Sequence, residues 1–116
     1  MMAQLFAAEF RARKRSWTGL SLSWVMQRGS EREEINRIIM DELVCGVFKP
    51  KAVAYFQRVM DRMKNAGCDA VILGCTEIPL LMNDANSPLP TLDSTRLLAR
   101  AALRRAIQSA MALAMD

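Results

Sequence analysis

Apolar and polar positions alternate with two different periods along the chain, and the switches between them mark the elements. Ile35, Ile38, Ile39 and Leu43 recur at helical spacing, which predicts one buried helical face. Ser30 with Glu33 three residues later reads as a capping box at its start, and Cys45-Gly46 reads as its end. Lys49-Pro50 opens a second helix whose stripe is Val53, Phe56, Met60 and Met63, closed by Asn65-Ala66-Gly67. A last helix is capped by Asp93-Ser94-Thr95 and carries Leu103, Ile107, Ala110 and Ala114. Residues 2–15, with Leu5, Phe6 and Phe10 on one side, are expected to form an amphipathic helix.

Between the helices the pattern shortens. Ala70-Val71-Ile72-Leu73 is a continuous apolar run, too short for a helix and suited to a strand covered on both faces, as in a parallel sheet. Leu89 to Leu92 is expected to form another short strand. Leu20 to Val25 alternates apolar and polar and could form a strand between the breakers Gly19 and Gly29. Residues 83–89, rich in Asn, Asp, Ser and Pro, form a loop. Helices alternating with short strands give an α/β fold. So few strands suggest an incomplete lobe, or a chain that needs a partner.

The stretch from Asp69 to Met82 is where chemistry is expected. Gly74 allows a sharp exit from the strand and leaves room for a ligand. Cys75 then sits at the strand's carboxyl end, where open α/β sheets place their crevices. Thr76 is a good N-cap and Pro79 is tolerated in a first helical turn. The expected result is a thiol beside free N–H groups at a helix N-terminus, an environment that favours a thiolate and attracts carboxylates.

Composition narrows the chemistry. The chain has 116 residues, one domain at most. No apolar run is long enough to span a membrane, and the first ten residues, broken by Gln4 and Glu9, make a poor signal peptide. A cytoplasmic protein is expected. Three cysteines without a paired spacing argue against a disulfide framework or a zinc site. The sequence contains no histidine, which excludes any scheme with imidazole as base or ligand. The net charge is +4, concentrated in Arg11–Arg15 and in Arg96, Arg100, Arg104 and Arg105. Arg96, Arg100 and Arg104 share a helix face. No aromatic residues interleave with them, so they read as a solvated face and not as a nucleic-acid site.

Gly-Cys-Thr-Glu-Ile-Pro-Leu-Leu (74–81), preceded by Ala-Gly-Cys-Asp-Ala-Val-Ile-Leu, resembles the second cysteine motif of the aspartate/glutamate racemase superfamily. It is most similar to the broad-specificity amino-acid racemase branch. Residues 31–43 resemble the helix that precedes this motif, and Leu-Pro-Thr-Leu-Asp-Ser-Thr (89–95) resembles the strand and helix start that follow. The resemblance covers roughly residues 31–107, with a weaker likeness over 2–11. It divides the chain into an atypical segment, 1–30, and a racemase-like α/β lobe, 31–116. The fold it implies is a parallel-sheet lobe of a two-lobed protein with the active site between lobes. The activity it implies is amino-acid racemisation without a cofactor. One cysteine removes the α-proton and a second returns a proton to the opposite face. On this resemblance Cys75 is one acid/base, Thr76 and the N–H groups after Cys75 hold the substrate carboxylate, and Glu77 assists in binding.

The departures from the family pattern are specific. A family member has about twice this length, and its first lobe carries the other cysteine in a Cys-Thr-Asn-Thr-like motif that does not occur here. Cys45, at a helix end, and Cys68, at the opposite end of the strand from Cys75, read as structural or incidental thiols. A histidine common in the family's last helix is matched here by Leu98. Residues 14–30 lack the family's strand and turn, as a truncated or frame-disrupted gene would produce. Two function classes follow: a racemase, or the catalytic half of one, acting on small or acidic amino acids such as aspartate or glutamate; and an inactive racemase-derived fragment or interaction module. The partners expected are an amino-acid substrate and, to cover an incomplete sheet, a second copy in a homodimer, with no nucleic acid, membrane or metal.

Overall fold

A computed structural model describes residues 5–12, 20–26 and 28–115. In chain order it contains β1 (Leu5–Ala12), β2 (Leu20–Met26), α1 (Gly29–Ile38), α2 (Pro50–Asn65), β3 (Ala70–Leu73), β4 (Thr91–Asp93) and α3 (Ser94–Ala114). Helix α1 continues into a wide π turn, Ile39–Leu43, and a three-residue 3-10 turn, Ile78–Leu80, follows β3.

The four strands form one sheet in the order β2-β1-β3-β4. β3 and β4 are parallel, pairing Val71 with Thr91 and Leu73 with Asp93. β1 lies antiparallel to β3 on its other side, with Phe6 opposite Ile72, and β2 lies antiparallel to β1. The fold is therefore mixed α/β, with its parallel part confined to the β3–β4 pair. The strand at residues 20–26 is as expected from its alternation. The helix expected over residues 2–15 is not what the described part forms: residues 5–12 are a strand. Apolar residues there also recur at every second position, Phe6, Ala8, Phe10 and Ala12. Two periods were thus available, and the open edge of β3 supplies backbone partners only to the extended one.

The helices follow their apolar stripes. Ile35, Ile38, Ile39 and Leu43 are all buried, as are Phe56, Met60 and Met63 of α2, joined there by Ala52 and Val59. Val71 and Leu73 project from β3 into the same cluster, which Ile78, Leu81, Met82 and Leu89 complete. Each large side chain fully removed from water there contributes about 1.5–3 kcal/mol. Both helix ends rest on a glycine in the left-handed region. Gly46 (φ 74°) donates to the Leu43 carbonyl while Val47 donates to that of Glu42. Gly67 (φ 98°) donates to Lys64 while Cys68 donates to Met63. These paired bonds satisfy carbonyls that the helix itself leaves open.

The start of α1 differs from expectation. It begins at Gly29, and the Arg28 N–H donates to Glu31 Oε2 at 2.7 Å, so Glu31 caps it instead of the Ser30–Glu33 pair. The same carboxylate receives two bonds from Arg62 near the end of α2, Nε to Oε1 at 2.7 Å and Nη2 to Oε2 at 2.6 Å. Glu31 is the carboxylate that tertiary structure holds in place, and it therefore takes the cap.

Helix α3 differs from the other two. None of its side chains is buried. Leu103 and Ile107, on its expected apolar stripe, are 61% and 50% exposed. No helix of the described residues is long and apolar enough to cross a membrane.

Candidate functional site

β3 ends at Leu73, and the chain turns sharply through Gly74 to present Cys75 at the sheet's carboxyl edge. The thiol is partly buried and packs against the core cluster. Its sulfur accepts hydrogen bonds from the Glu77 and Ile78 backbone N–H groups, both at 3.3 Å. Both donors lie at the start of the turn Ile78–Leu80 that follows the thiol.

This geometry revises the expected role of Thr76. The helix expected to start at Thr76 is only the turn Ile78–Leu80, with Pro79 at its second position. Thr76 does not cap it; the Cys75 sulfur occupies the place of the capping oxygen. The N–H groups of Glu77 and Ile78, expected to be free for a carboxylate, are engaged by the thiol. The Thr76 hydroxyl, exposed to solvent, donates instead to Glu77 Oε1 at 3.2 Å. Cys75, Thr76 and Glu77 are thus brought together on one turn, with the hydroxyl and the carboxylate on its outer side.

The neighbouring elements are tied to this edge. Asp93 caps α3, accepting from the Arg96 N–H at 3.1 Å. Ser94 Oγ donates to the Leu73 carbonyl at 2.9 Å, which fastens the start of α3 to the end of β3. Asp84 Oδ1 accepts from the Thr91 N–H at 2.8 Å and its hydroxyl at 2.7 Å. Those two bonds, backbone first, hold the Asp84 carboxyl below the usual aspartate range. Between these parts opens a cleft of about 690 Å³ whose walls include Thr76, Pro79, Asp84, Asp93, Arg96 and Arg100. The arginine stripe of α3 remains solvent-facing, as its spacing predicts, but its first two members stand over the same cleft as Thr76. Their lining role was not legible from spacing alone, because it depends on where α3 leaves the sheet.

The other thiols lie elsewhere. Cys45 is exposed near the end of the π turn, and Cys68 is buried just before β3, away from its carboxyl edge. Leu98, at the position matched to the family's histidine, is 72% exposed in the second turn of α3. Among the described residues no cluster of His, Cys, Asp and Glu could hold a metal ion.

The chain is similar to the crystal structure of a protein named a putative Asp/Glu racemase from Yersinia pestis, at 34% sequence identity and a TM-score of 0.68. The likeness covers 72% of this chain but 36% of that one, so this chain matches little more than a third of its relative. The family model for Asp/Glu/Hydantoin racemase matches residues 20–102, beginning within β2, before the stretch over which individual motifs were recognisable. Its match takes in the helices of the core, β3, Cys75 and the first turns of α3. The chain belongs to the Asp/Glu/Hydantoin racemase family.

Proposed function

We propose that this chain is the Cys75-bearing lobe of a cofactor-independent amino-acid racemase acting on small or acidic amino acids such as aspartate or glutamate. The observation that carries the reading is the Cys75 sulfur at the carboxyl end of β3, faced by two backbone N–H donors. As a thiolate, Cys75 removes the α-proton: the Cα–H bond breaks, an S–H bond forms, and the electron pair stays on carbon, delocalised into the substrate carboxylate. Cys75 in the thiol form runs the same step in reverse. Proton transfer by a positioned group of this kind contributes about 10²–10⁴-fold to rate. Inversion then requires an acid on the opposite face of the planar carbanion.

Thr76 and Glu77 are the substrate-binding pair in this scheme. The Glu77 carboxylate suits the α-ammonium group, and the Thr76 hydroxyl, exchanging Glu77 for substrate, donates to the α-carboxylate. Arg96 and Arg100 on the cleft wall, beside Asp84 and Asp93, supply guanidinium groups that suit the side-chain carboxylate of an acidic substrate. No cofactor is used in this scheme.

The test is α-proton exchange in deuterated water with both enantiomers of aspartate and glutamate, comparing the chain with Cys75→Ala. Exchange that disappears in the variant supports the reading. Equal exchange in both proteins, or none in either, refutes it and leaves the non-catalytic interaction module.

A further inference from the structure

Helix α3 is tied to the rest of the molecule at its first turn. It runs for 21 residues, and none of its side chains is buried. Among the described residues, one hydrogen bond joins a side chain of α3 to another element: Ser94 Oγ donates to the Leu73 carbonyl at 2.9 Å. No ion pair among the described residues involves α3. Leu73 is the last residue of β3, from which the chain turns through Gly74 to Cys75. One hydroxyl therefore links the strand end that presents the thiol to the helix that carries Arg96 and Arg100.

Those two arginines line the cleft together with Leu73 and Thr76. The cleft also holds two carboxylates, but each is engaged elsewhere. Asp84 accepts from the Thr91 N–H and hydroxyl, and Asp93 accepts from the Arg96 backbone N–H as the cap of the helix. Neither lies within ion-pair distance of the Arg96 or Arg100 guanidinium. A guanidinium on a cleft wall without a carboxylate partner suits an incoming carboxylate, which it can hold through two parallel bonds. Where it stands depends on the start of the helix. Arg100 lies about 9 Å along the axis from Ser94. A tilt of about 10° at that end displaces it by about 1.5 Å, more than a hydrogen bond tolerates.

We propose that Ser94 is the positioning residue for substrate selectivity: its bond to Leu73 sets Arg96 and Arg100 against the Cys75 turn, so that the cleft selects a dicarboxylate over a monocarboxylate of the same length. This deepens the racemase reading and rests on it for the amino-acid substrate. The α-carboxylate lies toward Thr76 and the side-chain carboxylate toward the arginines. Ser94 acts on the second of these through the helix it fixes.

The experiment reads binding and chemistry separately, on the whole chain. Succinate and butyrate, four-carbon acids with two carboxylates and one, are titrated while the guanidinium Nε–H resonances of Arg96 and Arg100 are followed by NMR. The wild-type chain is expected to bind succinate about tenfold or more tightly than butyrate, with both resonances shifting. Ser94→Ala, with an unchanged circular dichroism spectrum, is expected to bind butyrate as before and to lose most of the preference. Ser94→Thr, which keeps the hydroxyl, should retain it, and Arg100→Gln should lose it with Ser94 intact. A purely structural role would lower the unfolding midpoint of Ser94→Ala and leave the ratio of the two affinities unmoved; that result overturns the proposal. So does a wild-type chain that does not favour succinate, or a preference that survives Arg100→Gln. The α-proton exchange assay judges the racemase reading by itself. A preference for succinate that needs Ser94, in a chain that exchanges no α-proton, upholds the selectivity and sinks only the racemase reading.

Discussion

Replacing Arg62 by Met tests the contact that holds α1 to α2. Arg62 makes two bonds to Glu31, at 2.7 and 2.6 Å, across 31 residues of sequence, and the two side chains are 26% and 15% exposed. Both are largely out of water, so solvent screening is weaker than for a surface pair. Loss of the guanidinium leaves the Glu31 carboxylate with the Arg28 N–H alone. Charge-assisted bonds of this kind, removed from one side only, make Arg62→Met destabilising by about 2 kcal/mol near neutral pH. That is a sizeable share of the 5–15 kcal/mol typical of a folded domain.

The pH dependence makes the test specific. Burial raises the Glu31 carboxyl, but the bonds from Arg62 and the Arg28 N–H outweigh it, and the net position lies below the ordinary glutamate value. A carboxyl depressed in the folded state stabilises the protein fully above its unfolded value and loses that contribution as pH falls through its folded value. Urea unfolding of wild type and Arg62→Met should therefore show the gap at about pH 7 and a smaller gap well below the carboxylate range. Glu31→Gln combined with Arg62→Met should cost less than the sum of the two single changes. A gap below about 0.5 kcal/mol at neutral pH, where surface pairs fall, would refute the argument. So would a gap that does not change with pH.

Other expectations concern the core and the helix ends. Phe56, with no exposed surface at the centre of the α2 stripe, should cost about 3–5 kcal/mol as Phe56→Ala by urea unfolding; a loss under 1 kcal/mol would mean that α2 does not pack as described. Gly67→Ala places a side chain at φ 98° and should cost about 1–2 kcal/mol, seen as a lower unfolding midpoint with an unchanged slope. Asp93→Ala removes the bond to the Arg96 N–H and should cost about 1 kcal/mol of helix stability. Because α3 has no buried side chain to compensate, faster amide exchange in its first turn is the readout, and unchanged exchange there would show that the cap is not needed.

What was legible in the sequence is what neighbouring residues decide by themselves. The stripes of α1 and α2, Pro50 at a helix start, Gly46 and Gly67 at helix ends, and the strand leading to Cys75 all obey rules that span a few residues. What was not legible depends on partners distant in the chain. Residues 5–12 satisfy a helical and an extended period equally, and the edge of β3 chooses. Glu31 and not Glu33 caps α1 because Arg62, 31 residues away, fixes its carboxylate.

Thr76 illustrates a different limit. A hydroxyl just before a turn is normally expected to accept from the following N–H groups, and that rule treats a preceding thiol as a bystander. Here the turn is only three residues long, and its leading N–H groups converge on the Cys75 sulfur. That leaves the Thr76 hydroxyl to donate to the Glu77 carboxylate on the exposed side of the turn. The departure from the rule therefore falls on the turn to which the proposed function assigns the chemistry. Local rules are expected to yield at such positions, because a site is built from groups held away from their simplest partners. The bare helix α3 follows the same logic. Its apolar stripe obeys the helical period, yet nothing in that period says what covers it. In this chain Leu103 and Ile107 stay exposed along the helix, because a local period fixes a face and not its partner.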